Sequence, residues 1–213
     1  MNEDLLRFNN QQKYLVFDFE TCNLNLSSAD NKPWQLAFLT CQGNKVLEKH
    51  DYYIYWEDLK ISKDARKITG FSDKKYKNRA EPAEFVLEHF EKLLYNEEYI
   101  PVGHNIFGFD IYIHNIFRKC LGKKSDYSYL ERSMDTLCLA KAIHKESAYS
   151  NDQNFFCWQM KFNSYRQRGV KLNLGACCSS NDIDFDPNKL HDALYDITQN
   201  YELLKKMLWK IEI

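Results

Sequence analysis

The sequence predicts an α/β fold in which a mixed sheet of five strands is flanked by helices. Three apolar and aromatic runs, near residues 14–20, 34–41 and 45–56, have the length and composition of consecutive strands. Beyond them, strand and helix patterns alternate to the end of the chain. Consecutive strands followed by such alternation are typical of a sheet with an antiparallel part and a parallel part.

Helical periodicity and turn residues define the elements after the third strand. Pro82 begins a predicted helix that extends to residue 95, because proline is favoured in the first helical turn. A short strand follows at 100–103. Polar neighbours of Pro187 predict a loop at 181–187. The remaining predicted elements are a helix at 107–120, a strand near 133–135, and helices at 136–145, 172–180 and 189–209.

Composition indicates a single domain, residues 1–213. With 44% hydrophobic residues, a chain of this length can bury one full core. The net charge of −1 excludes a uniformly basic nucleic-acid coat, although basic residues cluster within 60–79 and 118–124. These clusters are either surfaces that attract a nucleic acid or ordinary solvated faces.

The cysteines and the N-terminus indicate the cellular compartment. Seven cysteines without Cys-x-x-Cys spacing argue against a disulfide framework or a zinc site and for a reducing environment. The first residues are acidic and lack a hydrophobic signal core, and no apolar run reaches transmembrane length. We therefore expect a cytoplasmic or otherwise intracellular protein that does not act at a membrane.

The first strand carries a pair of carboxylates. Asp18 and Glu20 are two residues apart, so the strand period directs both to one face and Phe17 and Phe19 to the other. Two adjacent carboxylates repel unless a cation lies between them. Hard oxygen ligands of this kind favour Mg²⁺ or Mn²⁺. Alone, the pair could equally be a strand end that faces water.

The last helix adds a histidine and a third carboxylate. Five helical positions separate residues by about 140°, so His191 and Asp196 would not share one face of a helix. We expect His191 on the approach loop or in the first turn and Asp196 in the helix itself. A loop histidine can take a proton from water near neutral pH, whereas the alternative is a surface histidine at a helix start.

A fourth carboxylate follows the strand at 100–103. Asp110 is predicted in the first turn of the next helix, where it would point back toward the strand end. The helix dipole also favours an acid there, so capping is an alternative role. His104 and Asn105 could contact a substrate or satisfy loop backbone groups, and Phe109 belongs to an apolar stripe more typical of a core.

Together these motifs resemble the DEDDh 3′–5′ exonucleases, the DnaQ-like group of the ribonuclease H-like superfamily. The matches are Asp18-x-Glu20-Thr21, an Asn-x-x-x-Phe-Asp segment that ends at Asp110, and His191-x-Ala-x-x-Asp196. Weaker similarity, including an Asp-Thr pair at 135–136, extends the resemblance over about residues 13–209. The resemblance implies a ribonuclease H-like mixed sheet and 3′–5′ removal of nucleoside 5′-monophosphates.

The resemblance also implies roles for individual residues. Asp18, Glu20, Asp110 and Asp196 would hold two Mg²⁺ or Mn²⁺ ions per active site, and His191 would be the general base. Two such ions can stabilise both the attacking and the leaving oxygen of a phosphodiester cleavage. The predicted substrate-binding residues are Thr21, Cys22, His104, Asn105 and Phe109, although packing is also a role for Cys22.

The chain departs from the common bacterial form of these enzymes in two places. One additional residue separates His104-Asn105 from Phe109-Asp110, which puts the role of His104 in doubt. A longer insertion at about 145–169 contains aromatic and basic residues. Such a mixture suits base stacking and phosphate contact on a single strand, but the segment could equally pack on the domain or bind a partner.

The resulting prediction is an exonuclease that acts on single-stranded 3′ ends of DNA, RNA or both. An alternative is an accessory subunit that acts mainly through a polymerase or a repair complex. A catalytically inactive binding module is disfavoured because all five active-site positions are filled. Discrimination between DNA and RNA depends on contacts to the 2′-hydroxyl, which no motif of this sequence identifies.

Overall fold

The computed structural model describes residues 5–23, 25–26 and 31–213. Among these residues, six strands form one sheet in the order β4-β3-β2-β1-β5-β6. The strands β1 to β3 pair antiparallel, whereas the pairs β1–β5, β3–β4 and β5–β6 are parallel. Their bounds are Lys13–Thr21 (β1), Pro33–Gln42 (β2), Lys45–Tyr55 (β3), Ala80–Pro82 (β4), Tyr99–Gly103 (β5) and Met134–Asp135 (β6).

Helices cover both faces of this sheet. In most of them a Ser, Asn or Asp side chain accepts a backbone N–H at the N-terminus, as Asp192 does from Tyr195 at the start of α8. No described helix is long and apolar enough to cross a membrane. The α-helices of the described residues are Lys63–Thr69 (α1), Asp73–Arg79 (α2), Ala83–Leu94 (α3), Asp110–Cys120 (α4), Thr136–His144 (α5), Phe155–Asn163 (α6), Leu174–Ser180 (α7) and Ala193–Met207 (α8).

The strand period divides the apolar core into two layers. Tyr14 and Val16 of β1 pack with α5, α6 and α8, whereas Leu15, Phe17 and Phe19 pack with α3 and α4 on the other face. Each layer excludes water from one face of the sheet, and apolar burial is the main stabilising term of such a fold. Because Asp18 and Glu20 continue the row of Tyr14 and Val16, they lie on the α8 face.

The predicted α/β fold class is confirmed, but the sheet has six strands instead of five. The missed strand, β4, has three residues and pairs with Tyr53–Tyr55 of β3. The sequence did not predict it because Pro82 is typical of a helix start. In the structure Pro82 is the last residue of β4 and directly precedes α3. A proline is tolerated there since β4 is an edge strand, where a backbone donor can be missing.

Two short helices between β3 and β4, α1 and α2, were not predicted, and the other elements differ mainly at their ends. The predicted helix at 107–120 begins only at Asp110, and the helix predicted at 189–209 begins at Ala193 after a 3₁₀ turn. The 145–169 insertion contains a helix, α6, that was not predicted. Trp158 of α6 is 2% exposed, and the partly buried Phe156 and Phe162 pack against the core. Most aromatic side chains of the insertion are therefore occupied by packing.

Candidate active site

The first two carboxylates stand where strand pairing ends. Parallel pairing between β1 and β5 stops at Val16 and Val102, while β1 continues to Thr21 along β2. Asp18 and Glu20 therefore lie beyond the last parallel hydrogen bond, on the face covered by α8. Both are only partly accessible.

Asp110 lies at the same end of β1 and belongs to the start of α4. As the first residue of α4, it is 1% exposed, and its Oδ1 accepts the backbone N–H of Phe19 at 3.1 Å. That donor has no parallel partner strand, since β5 has already ended. Asp110 thus fixes the backbone between Asp18 and Glu20 and brings a third carboxylate to them.

His191 and Asp196 reach the site from the start of α8, as predicted for a loop histidine and a helical aspartate. His191 precedes the helix with a φ of 70°, a conformation that costs energy for a residue other than glycine. Its backbone N–H donates to Asp196 Oδ2 at 3.0 Å. One side-chain ligand atom each of Glu20, His191 and Asp196 lie within 4.8 Å of one another.

Burial raises the pKa values of all four carboxylates, and for Asp18 and Glu20 repulsion within the cluster adds to it. Burial, followed by repulsion from Asp110, Glu20 and Asp196, holds the pKa of Asp18 well above its usual range. Burial and then Asp196 do the same for Glu20. The pKa of Asp110 rises to about 8 and that of Asp196 to about 7, in both cases chiefly because of burial. Without a cation, this cluster resists full ionisation near neutral pH.

The residues present fit divalent cations. Asp196 Oδ1 is buried and has no hydrogen-bond partner among the described residues, although a buried carboxylate oxygen normally has one. The ligand atoms that converge belong to the carboxylates Glu20 and Asp196 and to the exposed imidazole of His191, with no thiolate in the described cluster. The carboxylates of Asp18 and Asp110 interact with them electrostatically. Carboxylate oxygens are the ligands that Mg²⁺ and Mn²⁺ prefer. The positive charge of such an ion would offset the repulsion between the carboxylates.

His104 has a structural contact on each ring nitrogen. Nδ1 lies 3.0 Å from Thr136 Oγ1 and Nε2 lies 3.1 Å from the carbonyl oxygen of Leu172. Burial lowers its pKa to about 4, although the Leu172 carbonyl opposes this shift. A neutral imidazole can donate from Nε2 to Leu172, while the Thr136 hydroxyl beside Nδ1 donates to Asn200 Oδ1 at 2.6 Å. His104 therefore connects the end of β5 to the segment before α7.

Asp135 is a residue whose importance the motifs did not reveal. Its buried carboxylate accepts the backbone N–H groups of Asn105 (2.9 Å) and Phe107 (3.1 Å), and also those of Leu137 (2.8 Å) and Cys138 (3.3 Å) at the start of α5. It thereby fixes the loop that leads to Asp110. The Asp-Thr pair after a short strand was the available signal, but it did not indicate these contacts.

The other predicted substrate-binding residues differ in burial and in the groups that they contact. Thr21 is buried and donates from Oγ1 to the Asn23 carbonyl, and Cys22 is buried beside Asn31. Phe109 directly precedes α4 and packs against the α4 core layer. Asn105, at a φ of 71°, lines an open cavity. Contact of any of these side chains with substrate stays a prediction.

Three cavities meet at this end of the sheet. The smallest, of about 100 Å³, is lined by Asp18, Asp196 and His104. A second, of about 490 Å³, shares His104 with it and also includes His191. A third, of about 680 Å³, lies on the other side of His191, between the end of α1 and α8. Asp18 and Asp196 thus line a small cavity, and the neighbouring cavity beyond His104 can hold a ligand much larger than water.

The sheet order, together with four carboxylates and a histidine at the end of its central strand, defines a ribonuclease H-like nuclease of the 3′–5′, DEDDh type. The family comparison agrees with this class. The chain belongs to the exonuclease family, since the family model of the RNase T exonucleases matches residues 15–204. The resemblance stated from the motifs is thereby confirmed.

Solved structures support the same fold. The zinc-bound complex of Escherichia coli exonuclease I with single-stranded DNA has a TM-score of 0.71 at 17% identity, over 92% of this chain and 40% of that one. E. coli exonuclease I in complex with a dT13 oligonucleotide has a TM-score of 0.70 at 18% identity, over 92% of this chain and 40% of that one. Apo exonuclease I has a TM-score of 0.69 at 18% identity, over 92% of this chain and 42% of that one.

The chain thus spans about two fifths of the length of those exonuclease I chains. No curated protein sequence matches it significantly.

Proposed function

We propose that this chain is a metal-dependent exonuclease that removes nucleoside 5′-monophosphates from single-stranded 3′ ends. The observation that carries the proposal is the convergence of ligand atoms of Glu20, His191 and Asp196 within 4.8 Å, beside Asp18 and Asp110. Family membership gives the reaction class, and the filled set of five residues disfavours a catalytically inactive binding module.

The residues of the chain divide the chemistry between them. His191 is exposed and held on a loop by the bond from its N–H to Asp196. In the proposed reaction its imidazole accepts a proton from the attacking water, whose oxygen bonds to phosphorus while the bond to the 3′-oxygen breaks. The products are a nucleoside 5′-monophosphate and a strand shortened by one nucleotide.

The carboxylates supply the ligands of the cofactor. Two Mg²⁺ or Mn²⁺ ions, bound by Asp18, Glu20, Asp110 and Asp196, would stabilise the charge on the attacking and leaving oxygens. Asp110 has a second function, because its bond to the Phe19 N–H sets the position of Asp18 and Glu20.

The similar structures support a single-stranded substrate. E. coli exonuclease I is bound to single-stranded DNA in two of them, and we propose the same substrate class for this chain, with RNA as the alternative. Nothing in the comparisons supports a polymerase partner. Substrate contacts at Thr21, Cys22, His104, Asn105 and Phe109 belong to the proposal, with Asn105 the one that lines the large cavity.

A 5′-labelled oligonucleotide assay tests the proposal. Single-stranded, 3′-recessed and mismatched DNA and a matched RNA would be incubated with the protein and Mg²⁺ or Mn²⁺. We expect a ladder that shortens from the 3′ end and disappears with chelator. Asp18→Ala and His191→Ala should each lower the rate by about 10³-fold or more, since both remove a participant in the chemical step.

The exposed Asp184 offers a matched control, since Asp184→Ala removes a carboxylate outside the cluster. Thermal melting of every variant would establish that it is folded. A folded, metal-loaded wild-type protein that cleaves no oligonucleotide would refute the exonuclease proposal. A ladder that survives in Asp18→Ala would refute the assigned site.

A further inference from the structure

Lys141, in the last turn of α5, is a buried lysine that forms no ion pair with any described residue. Its side chain is largely buried, with the residue 3% exposed, and Nζ donates to the carbonyl oxygen of Asn163 at 2.9 Å. Within the described ranges 5–23, 25–26 and 31–213, no carboxylate lies within ion-pair distance of it. Lysines are rarely buried unless they are paired, because removal of an ammonium from water is costly.

A second cation lies against the first. Arg166 Nη1 donates to the same carbonyl oxygen of Asn163 at 3.1 Å and to the Tyr165 carbonyl at 2.8 Å. In the described part of the chain this guanidinium also forms no ion pair, and the side chain is exposed. Burial and then repulsion from Arg166 lower the pKa of Lys141. Two like charges that converge on one neutral oxygen would both be stabilised by an anion.

Both cations line a cavity that leads to the catalytic cluster. The cavity of about 490 Å³ is lined by Lys141, Tyr165 and Arg166 together with His104, Asn105 and His191. His104 also borders the small cavity that contains Asp18 and Asp196. A chain-like anion bound at the carboxylates could therefore extend to Lys141 without leaving the protein surface.

We propose that the cavity lined by Lys141 and Arg166 binds a backbone phosphate of the single strand on the 5′ side of the phosphate that is cleaved. The inference rests on the proposed exonuclease function. A 3′–5′ exonuclease cleaves the last internucleotide linkage, so every other backbone phosphate lies on its 5′ side. Arginine and lysine are the usual phosphate ligands, and the remaining guanidinium N–H groups can contact phosphate oxygens.

The position of the contact can be measured by replacement of single phosphates. Fluorescence anisotropy in chelator would give the Kd of 5′-labelled DNA 12-mers in which one linkage at a time, counted from the 3′ end, is a neutral methylphosphonate. For the wild-type protein, one linkage upstream of the last should raise the Kd by about tenfold, the usual effect of a lost charged hydrogen bond. In Lys141→Met, which keeps the apolar stem, that same replacement should raise the Kd by clearly less than tenfold, because only Arg166 then contacts the phosphate.

Arg166→Gln repeats the test at an exposed position, where folding is not at risk. Each variant should raise the Kd of the unmodified strand by about tenfold and lower the slope of log Kd against log salt by at most about 0.7, the value for one phosphate on a single strand. The matched control is Lys92→Gln, an exposed lysine of α3 on the opposite face of the sheet. It should leave both the Kd and the slope unchanged.

Two results would overturn the inference. Equal methylphosphonate penalties in the wild type and in both variants, at every linkage, would mean that Lys141 and Arg166 only hold the Asn163 carbonyl. Weaker competition by thymidine 5′-monophosphate in the variants, with no linkage-specific loss, would assign the pocket to the released nucleotide. Because binding is measured without metal, these results are independent of the cleavage assay, whose failure would refute the exonuclease function itself.

Discussion

Asp110→Asn should abolish activity and yet stabilise the metal-free protein. The substitution removes a buried ionisable group beside Asp18, Glu20 and Asp196. Burial and then repulsion within the cluster raise the pKa values of Asp18 and Glu20, and burial raises that of Asp110. An asparagine keeps the side-chain oxygen that accepts the Phe19 N–H. The variant therefore loses a proposed metal ligand and a repulsive charge but retains the hydrogen bond.

The size and sign of this effect follow from the pKa. The Asp110 carboxyl titrates at about 8 in the folded protein, against an ordinary value of 3.8. Its protonation favours the fold fully below pH 3.8, and this stabilisation is lost as the pH rises through about 8. The full difference corresponds to at most about 6 kcal/mol, at about 1.4 kcal/mol for each tenfold change. Because the neighbouring carboxylates titrate together with Asp110, we expect one substitution to recover about 2 kcal/mol at pH 8 to 9, or about 4–8 °C in Tm.

Urea unfolding in chelator at pH 5, 7 and 9 measures this difference. The free energy of unfolding of Asp110→Asn should exceed that of the wild type increasingly as the pH rises. Asp184→Asn, at an exposed aspartate, should show no such trend. A variant that is no more stable than the wild type at pH 9, or that differs from it equally at pH 5 and pH 9, would refute the electrostatic account of the cluster.

Three further predictions concern metal binding and stability. Mg²⁺ added to the metal-free wild-type protein should raise the free energy of unfolding by about 2.7 kcal/mol at a Mg²⁺ concentration one hundred times its Kd. A thermal-shift titration measures this rise, and an equal rise in Asp18→Asn would contradict the assigned ligands. Asp135→Ala removes the acceptor of four backbone N–H groups and should cost about 3 kcal/mol in urea unfolding, with a loss below about 1 kcal/mol counting against its role. Glu91→Ala leaves His114 and Arg118 without their buried acceptor and should cost about 3–5 kcal/mol in the same assay, whereas a neutral result would mean that solvent replaces the carboxylate.

The amino-acid sequence determined those features that depend on near neighbours. The strand period placed Asp18 and Glu20 on one face, and the helical angle between His191 and Asp196 placed one on a loop and the other in a helix. Both follow from geometry that repeats over two to four residues. The three motifs also resemble those of the exonuclease family to which the chain belongs.

The tertiary structure alone decided how distant segments meet. The bond from Phe19 to Asp110 joins residues 91 positions apart, and the one between His104 and Leu172 spans 68. The three-residue β4 forms only because β3 offers it a free edge. The composition of the 145–169 insertion, which includes Arg166, suited phosphate contact or packing equally, and no motif pointed to Lys141. Only the packing of α6 against α5 brings them to one carbonyl oxygen beside the active site, because contacts between distant segments are selected by the core as a whole and leave no local pattern.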